Sequence, residues 1–211
     1  SNDPNTKILA QRICQNFDCK KIIIFGDETI TLSKVLKLII KKRIQPLWVL
    51  KQFFSSLKQG LLLKAEHPCQ IDFSIKNKND LKDIVNNHPE INTLLAFRAG
   101  ILITKDILDS IECINTHYAK LPEYPGLGSV DRALKNKDYN QEATIHKMAA
   151  QIDKGEIALV VPYKLSPEKP YWQNELQASE AGVQAAVNFL KIFFESQEDN
   201  STNSKTASVP S

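Results

Sequence analysis

The chain has 211 residues, of which 42% are apolar and 24% charged, and a formal net charge of +3 at pH 7. That suits one α/β domain with a full core, or two small ones, folded as an ordinary globule. No apolar run is long enough to span a bilayer and no signal peptide opens the chain, so no membrane partner is expected. A charge of +3 is too weak to argue for nucleic acid.

The cysteines are Cys14, Cys19, Cys69 and Cys113. None forms a C-x-x-C pair, so neither a zinc ribbon nor a thioredoxin motif is indicated, and no metal site is expected. Free thiols and a cytoplasmic location are the expectation. The densest basic stretch, Lys34, Lys37, Lys41, Lys42 and Arg43, falls on a predicted helix and reads as its solvated face.

"NTKILAQRICQNF" carries Leu9, Ile13 and Phe17 at helical spacing and predicts a short leading helix. "KKIIIFG" is a continuous apolar, β-branched run closed by Gly26, and reads as a buried strand. "TLSKVLKLIIKKR" has Leu32, Val35, Leu36, Ile39 and Ile40 on one helical stripe, with Asp27 or Thr29 as the expected cap. "PLWVL" reads as a second short strand and "KQFFSSLKQG" as a helix ended by Gly60. "LLLKAEHPCQIDFSI" reads as extended pieces broken near Pro68.

"NKNDLKDIVNNH" predicts a helix capped by Asn79. "INTLLAF" is a strand, "TKDILDSI" a short helix and "ECIN" a further strand. "SVDRALKNK" is a helix, and "ATIHKM" and "EIALVVPY" are strands joined tightly through "AAQIDKG". "YWQNELQASEAGVQAAVNFLKIFF" closes the body as one long helix, or as two with a break. From residue 196 the chain is polar and Ser-rich, and reads as a disordered tail after a single domain over 1–195. Strands alternating with helices imply a three-layer α/β fold with a mixed, mostly parallel sheet.

Asn115 and His117 are two apart on an extended segment, so they share a face. They sit where a central strand ends, the usual ligand position of an open α/β sheet. The loop that follows, "KLPEYPGLG", holds Pro122, Pro125, Gly126 and Gly128, a stiff turn with open backbone access. Further on, "ATIHKMAAQIDKG" supplies His146 and Asp153. Each residue alone reads more simply as a satisfied polar group or a turn residue.

Together, "NTH", "LPEYPG", "TIH" and "IDKG" occur in an order and at separations that resemble the folate-dependent formyltransferase family. In chain length and in "LPEYPGL…RAL" the likeness is greatest to glycinamide ribonucleotide formyltransferases, and it covers roughly residues 91 to 162. The resemblance implies a Rossmann-like mixed sheet. It also implies transfer of a formyl group from 10-formyltetrahydrofolate to the amine of a small molecule, such as a nucleotide-linked amino sugar or a glycinamide ribonucleotide-like acceptor. It assigns Asn115, His117 and Asp153 to catalysis, with His146 and Gly126 in support. Asn115 and protonated His117 would face the developing oxyanion, with Asp153 raising the pKa of His117. The folate would lie against Ile101, Leu102 and Ile103, and against Ala150, Gln151 and Ile152. The state would be monomer or homodimer. A hydrolase that releases formate, or a folate- or nucleotide-binding protein without turnover, is the alternative.

One stretch departs from that pattern. After the first strand such ribonucleotide enzymes carry a Gly/Ser-rich loop for a phosphate. Here "GDETITLSK" keeps only Gly26, and Asp27 and Glu28 would each oppose a phosphate by roughly 1 kcal/mol or more at close range.

Overall fold

The computed structural model describes residues 4–18, 22–42, 44–62 and 71–206. Helix α1 (Pro4–Asn16) precedes strand β1 (Phe25–Asp27), helix α2 (Leu32–Ile40) and helix α3 (Pro46–Leu62). Strand β2 (Phe73–Ile75), helix α4 (Lys78–Asn87), strand β3 (Thr93–Phe97) and helix α5 (Lys105–Ser110) follow. Strand β4 (Glu112–His117), helix α6 (Ser129–Lys135), strands β5 (Asn140–Lys147) and β6 (Ile157–Lys164), and helix α7 (Tyr171–Thr206) complete the chain.

The strands form two sheets. β1 and β2 pair in parallel. The other sheet runs β3-β4-β5-β6, parallel between β3 and β4 and antiparallel in the next two pairings. The tight "AAQIDKG" connection forces the reversal between β5 and β6, because a parallel return needs a long crossover. Helix α7 lies across this sheet. Its small residues Ala181 and Ala185 pack against Ile114, Ala143 and Ile145, and Val183 and Val187 close over Leu9 and Ile13 of α1.

Several elements differ from the sequence expectation. "PLWVL" is not a strand; it is the first turn and more of α3, whose opening residue is Pro46. A proline is favoured in a first helical turn, where its missing N–H has no partner to lose. Of the described residues 22–26 in the expected run "KKIIIFG", only Phe25 and Gly26 lie in a strand, β1, which runs on to Asp27. Helix α2 is capped by Thr31, which accepts from the Lys34 N–H, and not by Asp27 or Thr29. Helix α4 is capped by Asn77, in a reciprocal box with Asp80, and not by Asn79. The break expected near Pro68 lies outside the described residues. Helix α7 runs on to Thr206, past the expected start of the tail at residue 196. No strong helix breaker stands between Glu195 and Thr206, and an existing helix propagates at little cost.

The cysteine expectation needs correction at one position. Cys14 is disulfide-bonded, while Cys113 is free and buried. Pairing requires Cα atoms within about 7 Å, which sequence spacing does not reveal. The thiol argument for a reducing compartment is withdrawn with it. Burial, aided by Glu112, pushes the Cys113 thiol up to about 11, so it is an inert core residue. No helix among the described residues is long and apolar enough to cross a membrane.

Candidate active site

The site is built at one end of β4 and β5. Asn115 and His146 face each other across the antiparallel pair, and Asn115 and His117 share a face of β4. β5 and β6 slip register between Ile145 and His146. Such an irregularity re-aims the side chain at the break. His146 is 1% exposed.

Asp153 comes from the turn between β5 and β6 and has φ 55°, in the left-handed region. Aspartate tolerates that region better than most residues. The turn is seated by Gly155, where an added Cβ would stand 1.7 Å from the Lys147 carbonyl oxygen. Only glycine fits there, and the Lys147 N–H donates to Glu156 O across the turn (2.9 Å).

The Asp153 carboxylate lies between the two rings. Its Oδ2 is 3.6 Å from His117 Nδ1 and its Oδ1 is 3.4 Å from His146 Nε2. The Gly126 N–H donates to Oδ2 over 2.6 Å. Asn115 Nδ2 approaches His146 Nε2 (3.1 Å) and Asp153 Oδ1 (3.4 Å). Gly126 supplies its N–H from a left-handed position, φ 70°, inside the proline-rich loop. Arg132 of α6 bonds the Pro125 and Leu127 carbonyls on either side.

Each ring is oriented by a backbone carbonyl. His117 Nε2 lies 2.7 Å from Tyr124 O, and His146 Nδ1 lies 2.8 Å from Lys147 O. A carbonyl can only accept, so those nitrogens carry the N–H. The opposite nitrogens, Nδ1 of His117 and Nε2 of His146, are the atoms turned toward Asp153.

Burial holds the His117 pKa below its ordinary value; Asp153 and the Tyr124 carbonyl work against that shift without overcoming it. This corrects the expected protonated His117: desolvation outweighs the carboxylate. Burial opposes ionisation of Asp153 too. The neighbouring His146 and His117 rings, when either takes a proton, and the Gly126 N–H nevertheless bring it down to about 2. At neutral pH the pair is therefore a carboxylate beside a neutral imidazole. His146 Nε2 and Asp153 Oδ1 lie on the same side of Asn115 Nδ2, where a single amide N–H reaches them, which leaves the second N–H to donate elsewhere.

The expected folate-facing residues divide. Leu102 and Ile152 are 70% and 66% exposed. Ala150 and Gln151 are also exposed. Ile101 and Ile103 instead pack on the cluster around Ile75, Leu81 and Leu94. They also line a cavity of about 770 Å³ between the two sheets, which Asn115, His117, His146 and Asp153 do not reach. Among the described residues no group of histidine, cysteine or acidic side chains is placed to hold a metal.

The turn after β1 is occupied from within. Asp27 accepts the N–H groups of Thr29 (2.7 Å), Ile101 (3.0 Å) and Gly100. Burial works against its ionisation, and those N–H groups outweigh it, so its pKa is lowered. Sequence reasoning missed this tie to the loop after β3, and also the orienting carbonyls of Tyr124 and Lys147. Backbone carbonyls leave no residue-type signal; only the Gly155 requirement points to Lys147.

Residues 69–192 match the model of the formyl transferase family, well over half of the chain, and the chain belongs to that family. It is 30% identical over 117 residues to a methionyl-tRNA formyltransferase of Fervidobacterium nodosum, covering 56% of this chain and 37% of that protein. The chain thus spans about two-fifths of the curated relatives it matches. Among solved structures it is similar to a phosphoribosylglycinamide formyltransferase from Streptococcus pneumoniae, with TM-score 0.62 and 16% identity over 92% of this chain and 96% of the other. A 4-N formyltransferase from Francisella tularensis gives TM-score 0.58 and 14% identity over 93% and 67%. At such identities the two structures support the Rossmann-like fold alone.

Proposed function

We propose that this chain is a folate-dependent formyltransferase that moves the formyl group of 10-formyltetrahydrofolate to an amine. Asn115, His117 and Asp153 are its catalytic residues in this reading, and His146 and Gly126 support them. The observation that carries it is the ionised Asp153 carboxylate held between two imidazoles at the end of β4. Family membership supports the choice of donor.

The folate supplies a formyl carbon bonded to N10. When the acceptor amine bonds to that carbon and the carbon–N10 bond breaks, one proton leaves the amine and one reaches N10. The chain's part is to hold that proton in between. Asp153 Oδ2 and His117 Nδ1 are the accepting atoms, 3.6 Å apart, so a proton taken up by the ring is stabilised by the charge of the carboxylate. Tyr124 O keeps the His117 ring from turning away. The second N–H of Asn115 donates to the developing oxyanion. The exposed Leu102 and Ile152 suit a flat apolar ring; Ile101 and Ile103 serve the core beneath it. We assign the catalytic unit to residues 1–195, with 196–211 as an addition that the chemistry does not use. A cytoplasmic setting suits this soluble donor.

The acceptor is an amine-bearing small molecule, with a nucleotide-linked amino sugar preferred over glycinamide ribonucleotide. Asp27 supports that order, because its carboxylate already takes the N–H groups that an anion would use. The expected exclusion of nucleic acid is not carried forward, since the relative from Fervidobacterium is a methionyl-tRNA formyltransferase. The test is to incubate the protein with 10-formyltetrahydrofolate and a panel of these amines and to follow tetrahydrofolate release. Release that depends on an amine supports transfer. Equal release without any amine would make the protein a hydrolase.

A further inference from the structure

Helix α3 is turned inside out. Ser55 and Gln59 are each 1% exposed, whereas Leu47, Leu50, Phe54, Leu57 and Leu61 are all more than half exposed. Apart from Trp48, whose ring lies against Gly128, the inward face is polar and bonded. Asn5 Nδ2 donates to Gln59 Oε1 (2.6 Å), Gln59 Nε2 donates to Ser55 Oγ (3.0 Å), and Gln52 Nε2 donates to Tyr171 Oη (2.6 Å). Lys51, at the flank, pairs with Asp131 of α6. These bonds fix the roll of the helix, because turning it by half would bury the leucines only by stranding three amides.

The outward residues are spaced 3, 4, 3 and 4 apart. At 3.6 residues per turn they fall within an arc of roughly 80°. That is the narrow seam by which one helix packs on another, with residues in the a and d positions of a heptad. Phe53 and Leu62 flank the seam on either side and are 63% and 58% exposed. Side chains of this size carry roughly 150–200 Å² each. Half or more of that, over six of these residues, leaves on the order of 500–600 Å², the largest patch of an ordinary monomer. Two such faces together hide about 1,000–1,200 Å², which meets what a specific interface needs.

The geometry points to a second copy of this chain as the occupant: two α3 helices pair through Leu47, Leu50, Phe54, Leu57 and Leu61 in a two-fold dimer. A self-complementary apolar seam of this kind suits an isologous contact, in which the same patch serves on both sides. The two positions that would carry charge of one sign against the other hold Phe53 and Gly60 on one flank, so a parallel pairing sets Lys51 and Lys58 beside uncharged neighbours. The proposal is independent of the reaction assigned above.

Sedimentation equilibrium of the full chain from about 1 to about 100 µM tests it. The wild type is expected to be a dimer that dissociates on dilution. Leu50→Glu with Leu57→Glu is expected to be a monomer throughout, with unchanged far-ultraviolet circular dichroism. If that variant does not fold, Leu50→Ala with Leu57→Ala should still weaken the dimer at least tenfold. A wild type that stays monomeric across the range overturns the proposal, whether or not it binds lipid vesicles. So does a dimer that is equally tight in either folded variant.

Discussion

His117 Nδ1 and Asp153 Oδ2 stand 3.6 Å apart, the first on a neutral ring and the second on an ionised carboxylate. Neither atom carries a proton at neutral pH, so the space between them is a place for one. Asp153→Asn tests how far the carboxylate supports the charged ring. Asparagine also tolerates the left-handed φ of 55°, so the turn should keep its shape. The charge interaction that favours protonated His117 is lost, and its pKa should fall further below the ordinary value. Titration of the His117 ring by NMR reads this directly. A pKa that rises in the variant would mean that the two groups do not interact as described.

Gly155→Ala should destabilise the fold. A Cβ there meets the Lys147 carbonyl oxygen at 1.7 Å, and that oxygen also orients His146 Nδ1. Backbone must move, at a cost of about 2–3 kcal/mol. Denaturant unfolding measures it. A variant as stable as the wild type would show that the turn between β5 and β6 is looser than described.

Stability should fall as the pH is lowered. His117 has a folded pKa below its ordinary 6.5, so the unfolded chain takes up its proton first. Stability from that ring is present above 6.5 and is lost as the pH falls from there toward the lowered value. Asp153 adds the same sign in a lower window, from its ordinary 3.8 down to about 2. Unfolding free energies measured from pH 8 to pH 3 should therefore decline monotonically from about 6.5. A rise on acidification through pH 6 would contradict the neutral assignment of His117.

Much of this site is legible in the sequence. Asn115 and His117 show themselves by their i, i+2 spacing at a strand end, and Asp153 by the turn before Gly155. What is not legible is set by tertiary contact. The charge state of His117 depends on burial, which no local pattern carries. The 3.1 Å approach of His146 to Asn115 depends on strand register and a slip in it. "PLWVL" misleads because a five-residue apolar run does not distinguish strand from helix. The stripe Leu32, Leu36 and Ile40 of α2 is periodic as read, yet it faces solvent, since periodicity gives a face and not what covers it.

Asp27 should make glycinamide ribonucleotide a poor substrate. Its carboxylate holds the backbone donors of Thr29, Gly100 and Ile101, and its charge opposes a phosphate at that turn. The kcat/KM for the ribonucleotide should stay below ~10⁴ M⁻¹s⁻¹, the low end for an ordinary enzyme and substrate. A larger value would show that the phosphate binds elsewhere.

Single-turnover release of tetrahydrofolate, with wild type and Asp153→Asn in parallel, tests the proton-accepting role of Asp153 most directly. Each protein is saturated with 10-formyltetrahydrofolate, as checked by binding, and mixed with the acceptor amine that gives the fastest wild-type rate. The wild type should release tetrahydrofolate in an amine-dependent step, and the variant should do so 10²- to 10⁴-fold more slowly, the range roughly expected for a lost general base. Equal rates in the two folded, folate-bound proteins would contradict the account.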